Sequence, residues 1–146
     1  MSIDDDVALL ERVPTLRLLG RESLRMLAIG SEQRSIHSGE YLFRKGEDAD
    51  AGFVVQRGAF LIDDGAGAQA VAGPGMLIGE LALVVAMQRP STATAQENST
   101  VIRIARSLFQ RVLESDPAAA RRLRRRTARV IQTATRTPSA ISRYSE

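Results

Sequence analysis

The sequence of 146 residues has no cysteine, no tryptophan and a single histidine, His37. Without cysteine the chain can form neither disulfides nor thiolate metal sites, and it has no cysteine nucleophile. One imidazole leaves no histidine pair for a metal centre and argues against histidine-based catalysis. We therefore expect no metal site, no catalytic cofactor and no enzyme activity, and we expect His37 to be a surface or packing residue.

Hydrophobic runs are also short. The longest, at residues 76–78 and 81–87, are separated by Gly79 and Glu80 and fall well below the roughly 20 residues of a membrane-spanning helix. The N-terminus, which includes three consecutive aspartates, lacks the basic start and the apolar stretch of a secretory signal. These absences predict a soluble, cytoplasmic protein without a membrane partner.

The charge that is present is unevenly distributed. Residues 1–116 carry 12 basic and 16 acidic side chains, whereas residues 117–146 carry 8 basic side chains and 1 acidic one. The net charge of +3 therefore combines −4 over residues 1–116 with +7 over residues 117–146. All basic residues except Lys45 are arginine, the side chain best suited to bidentate contacts with phosphate or carboxylate groups.

The hydrophobic pattern divides the chain into three zones. Apolar residues recur at helical spacing over residues 4–30 and again beyond residue 105, where Ser107 and the Asp116-Pro117 pair are expected to begin two helices. Between these zones the period shortens to two, and glycine-containing turns separate short segments. The predicted strands are 35–37, 41–44, 53–56, 59–62, 70–72, 92–95 and 100–104. This pattern predicts one mainly β domain, an antiparallel sandwich or barrel with flanking helices.

One stretch, residues 74–93, interrupts the β pattern. It contains Gly79-Glu80-Leu81-Ala82-Leu83, which is typical of a short helix whose first backbone amides would face an anion. Arg89 adds a cationic fork, and the hydroxyls of Ser91 and Thr92 follow. A carboxylate for sugar hydroxyls, with arginine and amides for a phosphate, suits a phosphorylated sugar. The alternative is an internal salt bridge between Glu80 and Arg89 that only stabilises the fold.

The same residues resemble the phosphate-binding cassette of the cyclic nucleotide-binding domain. This family includes the regulatory subunits of cAMP-dependent kinases, cyclic-nucleotide-gated channels and catabolite-activator transcription factors. The resemblance rests on the Gly79 to Leu83 motif with Arg89 and Thr92 at matching spacing, and we call residues 79–92 the cassette. The glycine-punctuated stretches 38–49 and 52–58 resemble the early strands of the family, so the likeness covers about residues 13–130.

The resemblance implies a fold in more detail than the pattern does. It implies an eight-stranded jelly-roll-like β-barrel, a double-stranded β-helix, between an N-terminal helical bundle and two C-terminal helices. The expected domain covers residues 1–137, and residues 138–146 form a frayed tail.

The resemblance also implies a ligand and its contacts. Glu80 would bind the ribose 2′-hydroxyl, Arg89 the cyclic phosphate, and the backbone of residues 79–82 would add amide contacts. The expected site residues are Gly79, Glu80, Leu81, Ala82, Arg89, Ser91 and Thr92. The expected function is regulatory binding of a cyclic nucleotide, cAMP ahead of cGMP, with ligand-driven movement of the C-terminal helices.

Two residues depart from the family pattern. Many members have a small residue after the arginine whose backbone N–H meets the phosphate, but Pro90 has no N–H to donate. Gln88 replaces a proline that is common before the arginine. The hydroxyl of Ser91 is a candidate to compensate for the missing donor.

The arginine-rich segment 117–146 leaves three interpretations open. Its arginines form a solvated helix face, or they attract nucleic acid or an acidic partner, or they flank a seam. The third case is one that the resemblance implies: the last helix of the family closes over the base or pairs with a second helix, so that here Thr127 would meet the purine and Leu123, Val130 and Ala134 would pair the helix with a second copy or a partner protein. The arginines are Arg121, Arg122, Arg124, Arg125, Arg126 and Arg129.

Two alternatives to nucleotide sensing also stay open. One is an interaction module of the same fold that binds no nucleotide. The other is a nucleic-acid-associated accessory protein that uses the arginine helix, although nucleic-acid binding is not expected without a dedicated DNA-binding domain.

Overall fold

The computed structural model describes residues 2–125 and begins with three helices. They are α1 (Ile3–Glu11), α2 (Pro14–Arg17) and α3 (Arg21–Gly30). Ser2 caps α1, because its hydroxyl accepts from the amide of Asp5 and the carboxylate of Asp5 accepts from the amide of Ser2. Pro14 occupies the first turn of α2, where its missing N–H costs nothing. The predicted helical zone is confirmed, but it is divided into three helices.

The described residues then form ten strands. They are β1 (Glu32–Ile36), β2 (Tyr41–Phe43), β3 (Asp48–Ala49), β4 (Ala51–Arg57), β5 (Phe60–Asp63), β6 (Gln69–Ala72), β7 (Leu77–Ile78), β8 (Met87–Gln88), β9 (Thr92–Ala95) and β10 (Ser99–Ala105). Seven of them correspond to predicted strands. The other three, β3, β7 and β8, have only two residues each and were not predicted.

Hydrogen bonds join these strands into two antiparallel four-stranded sheets and a two-stranded ribbon. The first sheet has the order β1-β10-β4-β7, the second has the order β2-β9-β5-β6, and β3 pairs with β8. The register of β9 against β5 places Thr92 opposite Asp63. The last residue of the cassette, Thr92, is therefore the first residue of β9, a central strand of the second sheet.

The eight-stranded barrel implied by the resemblance is not confirmed in that form. Within residues 2–125 each strand belongs to one sheet only, and no hydrogen-bonded strand joins the two large sheets. Shifts of register at Tyr41–Phe43 and at Thr100–Val101 interrupt the ladders and bend the strands. The coarser prediction of a β domain with flanking helices is confirmed.

The two central strands of the first sheet, β4 and β10, are largely buried on both faces, whereas the edge strand β1 is mostly exposed. On β4, Val54 packs into an apolar cluster with the helices, whereas Phe53 and Val55 pack into a second cluster between the two sheets. On β10, Ile102 packs into the cluster with the helices and Val101 packs into the cluster between the sheets. Because successive side chains of a strand point to opposite faces, both must be apolar when both faces are covered. The fold is therefore layered, with helices on the first sheet and the first sheet on the second.

The helix α4 (Arg106–Ser115) follows β10 directly. The prediction that Ser107 caps this helix is wrong. The cap position is Ala105, which makes no side-chain cap bond, and the amide of Arg106 donates instead to Asp50 O at 2.8 Å. A backbone carbonyl from a neighbouring segment thus replaces the side-chain cap.

A fifth helix, α5, covers residues 117–125, which are the last described residues. It begins as predicted, since Asp116 Oδ1 accepts from the amide of Ala119 at 3.1 Å. Leu123 is 2% exposed and packs with the N-terminal helices, so the domain itself already covers this part of the proposed seam. Thr127, Val130, Ala134 and the predicted tail 138–146 lie outside the described residues.

Among residues 2–125, no helix combines the length and the hydrophobicity needed to cross a membrane.

Candidate functional site

The cassette lies between β7 and β9 and contains a 3-10 turn (Glu80–Leu83) followed by β8. Gly79 precedes the turn with φ 80° and ψ 37°, a left-handed conformation that glycine adopts without strain. Beyond β8, the amide of Arg89 donates to Glu47 O at 2.7 Å, and Arg89 O accepts from the amide of Gly46 at 2.8 Å. These two bonds fix the backbone of Arg89 to the neighbouring turn.

Arg89 is buried, with 5% of its surface exposed. Its Nη2 donates to Ala51 O at 2.8 Å, and its guanidinium carbon lies 4.1 Å from the ring centre of Phe43 and 5.5 Å from that of Phe53. Aromatic faces attract a cation, and more strongly where water is excluded. A backbone carbonyl and two rings therefore fix the position of the guanidinium.

Gly79 brings this guanidinium next to the start of the 3-10 turn. A Cβ atom at residue 79 would lie 2.6 Å from Arg89 Nη1 and 3.5 Å from Ala51 O. Only glycine leaves room for the guanidinium here. Because Glu80 is the next residue, the Arg89 guanidinium lies close to the backbone from which the Glu80 side chain projects.

Glu80 is the first residue of the 3-10 turn and is partly buried. Its Oε1 accepts a hydrogen bond from Oγ1 of Thr15, a residue of α2 that is only 4% exposed. Sequence reasoning missed Thr15, because 65 residues separate it from Glu80 and no local pattern connects them.

The turn exposes fewer backbone amides than the sequence analysis predicted. The amide of Ala82 donates to Gly79 O at 3.1 Å, since a 3-10 turn closes its first hydrogen bond one residue earlier than an α-helix does. Ala82 is buried, whereas Leu81 is partly exposed. A ligand contact to the amide of Ala82 would therefore compete with a hydrogen bond inside the turn.

The two hydroxyls after Arg89 have different environments. Ser91 is 1% exposed, and its Oγ has no hydrogen-bond partner in the part of the chain that the structure describes. Thr92 Oγ1 accepts from the amide of Lys45 at 2.9 Å and so holds the turn at that residue. Of the two hydroxyls, that of Ser91 is the better candidate to meet a ligand.

Arg106, the first residue of α4, contacts the first half of the cassette and the neighbouring strand β3. Its Nη1 donates to Ala49 O at 2.8 Å, Ala82 O at 3.1 Å and Val85 O at 3.0 Å. The sequence offered one hint of a special role, because a cation in the first turn of a helix opposes the helix dipole. Arg106 connects α4 to β3, to the 3-10 turn and to the loop after it.

The remaining candidates lie away from the cassette. His37 is exposed, and no group of three or more potential metal ligands occurs within residues 2–125. The arginines of α5 that the structure describes are exposed, and one of them, Arg122, donates from Nε to Leu18 O at 2.8 Å. They are Arg121, Arg122, Arg124 and Arg125.

Comparison with known proteins gives a consistent assignment. The family model described as the cyclic nucleotide-binding domain matches residues 33–116, which is more than half of the chain. An uncharacterized NTE family protein of Mycobacterium tuberculosis is 31% identical over 124 residues, which cover 84% of this chain. The chain spans about one fifth, 21%, of the length of that relative.

Two solved structures are similar to this chain over most of their own length. The cyclic nucleotide-binding-like protein from Brucella abortus is 36% identical with a TM-score of 0.67, and the match covers 76% of this chain and 99% of that one. A protein solved in work on a cyclic-GMP-dependent signalling pathway that regulates bacterial phytopathogenesis is 32% identical with a TM-score of 0.66. That match covers 76% of this chain and 93% of the other.

Proposed function

This chain belongs to the cyclic nucleotide-binding domain family, and on that premise we propose that it is a regulatory module that binds a cyclic nucleotide in its cassette. The observation that carries the proposal is the buried guanidinium of Arg89, held against Gly79 at the start of the turn that presents Glu80. A cation and a carboxylate match the sugar-phosphate part of a cyclic nucleotide, which carries an anionic phosphate and a ribose 2′-hydroxyl that donates.

Arg89 binds the cyclic phosphate in this proposal. Burial holds the guanidinium where little water is present, so that its attraction to a bound anion is stronger than it would be in water. A charge-assisted hydrogen bond is also strongest where the surroundings are poor in water. The hydroxyl of Ser91 supplies the phosphate contact that Pro90, without an N–H, does not make.

Glu80 binds the ribose in this proposal. Its carboxylate accepts from the 2′-hydroxyl, and the backbone amides of Gly79 and Leu81 add contacts to the ligand. Thr92 has a supporting role, since its hydroxyl already holds the turn at Lys45.

We propose cAMP ahead of cGMP as the ligand. If the hydroxyl of Ser91 contacts the phosphate, it does not contact the 2-amino group, which guanine has and adenine lacks. Titration with both nucleotides tests this order, and tighter binding of cGMP would contradict it.

The proposed regulation is movement of the C-terminal helices. Arg106 donates to the carbonyls of Ala82 and Val85, so a displacement of the 3-10 turn must move α4 or break those hydrogen bonds. Such coupling requires that the ligand bind the two arrangements with different affinity. Because the chain spans about a fifth of the matched relative, we propose that the output lies in an effector outside this domain.

The exposed arginines of α5 support a second candidate, an accessory role at nucleic acid or another acidic partner. Binding of unrelated DNA at low and at physiological salt tests it. Affinity that falls steeply with salt is expected for this role, and affinity that does not change with salt would exclude it.

Calorimetric titration tests the main proposal. We expect heat of binding with cAMP and none with the non-cyclic 5′-AMP at the same concentration. Arg89→Ala should weaken cAMP binding by at least about 2 kcal/mol, because a charge-assisted contact is lost. Arg103→Ala is the matched control, since Arg103 pairs with Asp50 outside the cassette at 3.2 Å. Unchanged affinity of a folded Arg89→Ala variant would contradict the phosphate role.

A further inference from the structure

We propose that Thr15 is a positioning residue for the cassette, and that its hydroxyl holds the carboxylate of Glu80 in the orientation that accepts the ribose 2′-hydroxyl. This inference rests on the proposed nucleotide binding and adds to it a residue outside the cassette, on an N-terminal helix.

The contact joins two parts of the molecule that are distant in sequence. Thr15 Oγ1, on α2, donates to Glu80 Oε1, on the 3-10 turn, across 65 residues of sequence. Thr15 is 4% exposed, and its neighbours Val13 and Leu16 belong to the apolar cluster beneath the first sheet. A hydroxyl in such surroundings is unfavourable unless it is hydrogen-bonded, so valine would be the ordinary residue at this position. The hydroxyl is explained by its contact with Glu80.

The position of α2 is itself well determined. Just before it, Arg12 Nη2 donates to Pro74 O at 3.3 Å, and the Arg12 guanidinium carbon lies 2.7 Å from the site of a Cβ atom at Gly75. Just after it, Leu18 O accepts from Arg122 Nε at 2.8 Å. With α2 fixed on both sides, Thr15 presents its hydroxyl at a defined point.

A donor at this point has a specific consequence for the carboxylate. The two oxygens of a carboxylate together accept about four hydrogen bonds, so the Glu80 carboxylate can accept from Thr15 and from a ligand hydroxyl at the same time. A side chain held by a second hydrogen bond loses less conformational freedom when the ligand arrives. Thr15 therefore favours binding through the 2′-hydroxyl, and the proposal requires that binding of a nucleotide without that hydroxyl does not depend on Thr15.

The test uses two nucleotides and two variants of the full chain. Thr15→Val keeps the shape and removes the donor, whereas Thr15→Ser keeps the donor. We expect Thr15→Val to weaken cAMP binding about fivefold to tenfold, as the loss of one hydrogen bond does, and Thr15→Ser to stay within about twofold of the unmodified chain. With 2′-deoxy-cAMP, which has no 2′-hydroxyl, Thr15→Val and the unmodified chain should bind with equal affinity.

Controls separate positioning from a general effect on the fold. Ser23→Ala removes another buried hydroxyl of the N-terminal helices, 4% exposed, and should leave cAMP affinity unchanged. Thermal unfolding of each variant shows whether it is folded at the temperature of titration.

Each outcome decides the inference. Thr15→Val affinity equal to that of the unmodified chain, or equal weakening for cAMP and 2′-deoxy-cAMP, would overturn the role of Thr15 and leave the nucleotide site intact. If the unmodified chain binds neither nucleotide, the proposed function fails and this inference fails with it. A poorly folded Thr15→Val variant leaves Thr15→Ser as the test, and a large loss of cAMP affinity in that variant would contradict the role.

Discussion

Substitution of Gly79 by alanine changes two features of the cassette at once. The backbone of Gly79 has φ 80°, in the left-handed region that residues with a Cβ atom rarely adopt. The added Cβ would also lie 2.6 Å from Arg89 Nη1. The first feature affects stability alone, and the second acts on the cation proposed to bind phosphate.

The size of each effect follows from the structure. A left-handed conformation costs a residue with a side chain about 1–2 kcal/mol. To reach an ordinary contact of 3.4 Å the guanidinium must retreat by 0.8 Å, the difference between 3.4 and 2.6 Å. A retreat of that size directly away from Ala51 O would break the 2.8 Å hydrogen bond from Nη2, which adds about 1 kcal/mol. We expect Gly79→Ala to lower the free energy of unfolding by about 2–3 kcal/mol.

Gly39→Ala separates the two effects, because Gly39 has φ 86° and no atom within 4 Å of the added Cβ. Urea unfolding should show a loss of about 1–2 kcal/mol for Gly39→Ala and a larger loss for Gly79→Ala. Titration with cAMP should show unchanged affinity for Gly39→Ala and at least about tenfold weaker binding for Gly79→Ala. Equal behaviour of the two variants in both assays would refute the claim that Gly79 makes room for Arg89.

Two further predictions concern stability. Arg106→Gln should lower the free energy of unfolding by about 2 kcal/mol, since carbonyls of the cassette lose their donor. The exposed pair of Arg103 with Asp50 should contribute less, so a smaller loss for Arg106→Gln than for Arg103→Gln in urea unfolding would argue against the connecting role. Hydrogen bonds from the Gly65 amide and the Gln69 side chain lower the pKa of Asp63 below its ordinary 3.8. Because the pKa of Asp63 is lower in the folded state than in the unfolded state, its ionised carboxylate stabilises the fold at pH values above the unfolded pKa. This contribution to the free energy of unfolding is lost as the pH falls through the folded pKa. An NMR titration should place the Asp63 midpoint below 3.8, and Gln69→Ala should raise it; a midpoint that does not move in Gln69→Ala would exclude that hydrogen bond as a cause.

The strands that the sequence predicted well are those whose own residues determine them. The strand β9 (Thr92–Ala95) has the predicted bounds, because its residues alternate between a buried and a half-buried face. The ribbon of β3 and β8 could not be predicted in this way, since two residues show no period and their pairing depends on the opposite strand. For the same reason the number of strands and their closure did not follow from the sequence pattern.

The residues of the candidate site also fall into two groups, those that a local motif predicts and those that only tertiary packing brings to the cassette. Glu80 and Arg89 lie nine positions apart in one motif, and the Arg89 guanidinium lies beside Gly79, the residue before Glu80. Thr15 and Arg106 reach the cassette from helices at the two ends of the domain. Their roles depend on tertiary packing, which no local spacing encodes. Hydrogen bonds that support a site from a distance are therefore visible only in the folded chain.

The central claim is that a cyclic nucleotide binds with its phosphate on Arg89 and its ribose on Glu80. The most direct test is the structure of the chain crystallised with cAMP. The account predicts a phosphate oxygen within about 3.2 Å of the Arg89 guanidinium and the ribose 2′-oxygen at hydrogen-bond distance from the Glu80 carboxylate. A nucleotide bound elsewhere on the chain, or a cassette in which Arg89 and Glu80 contact only protein at saturating cAMP, would contradict it.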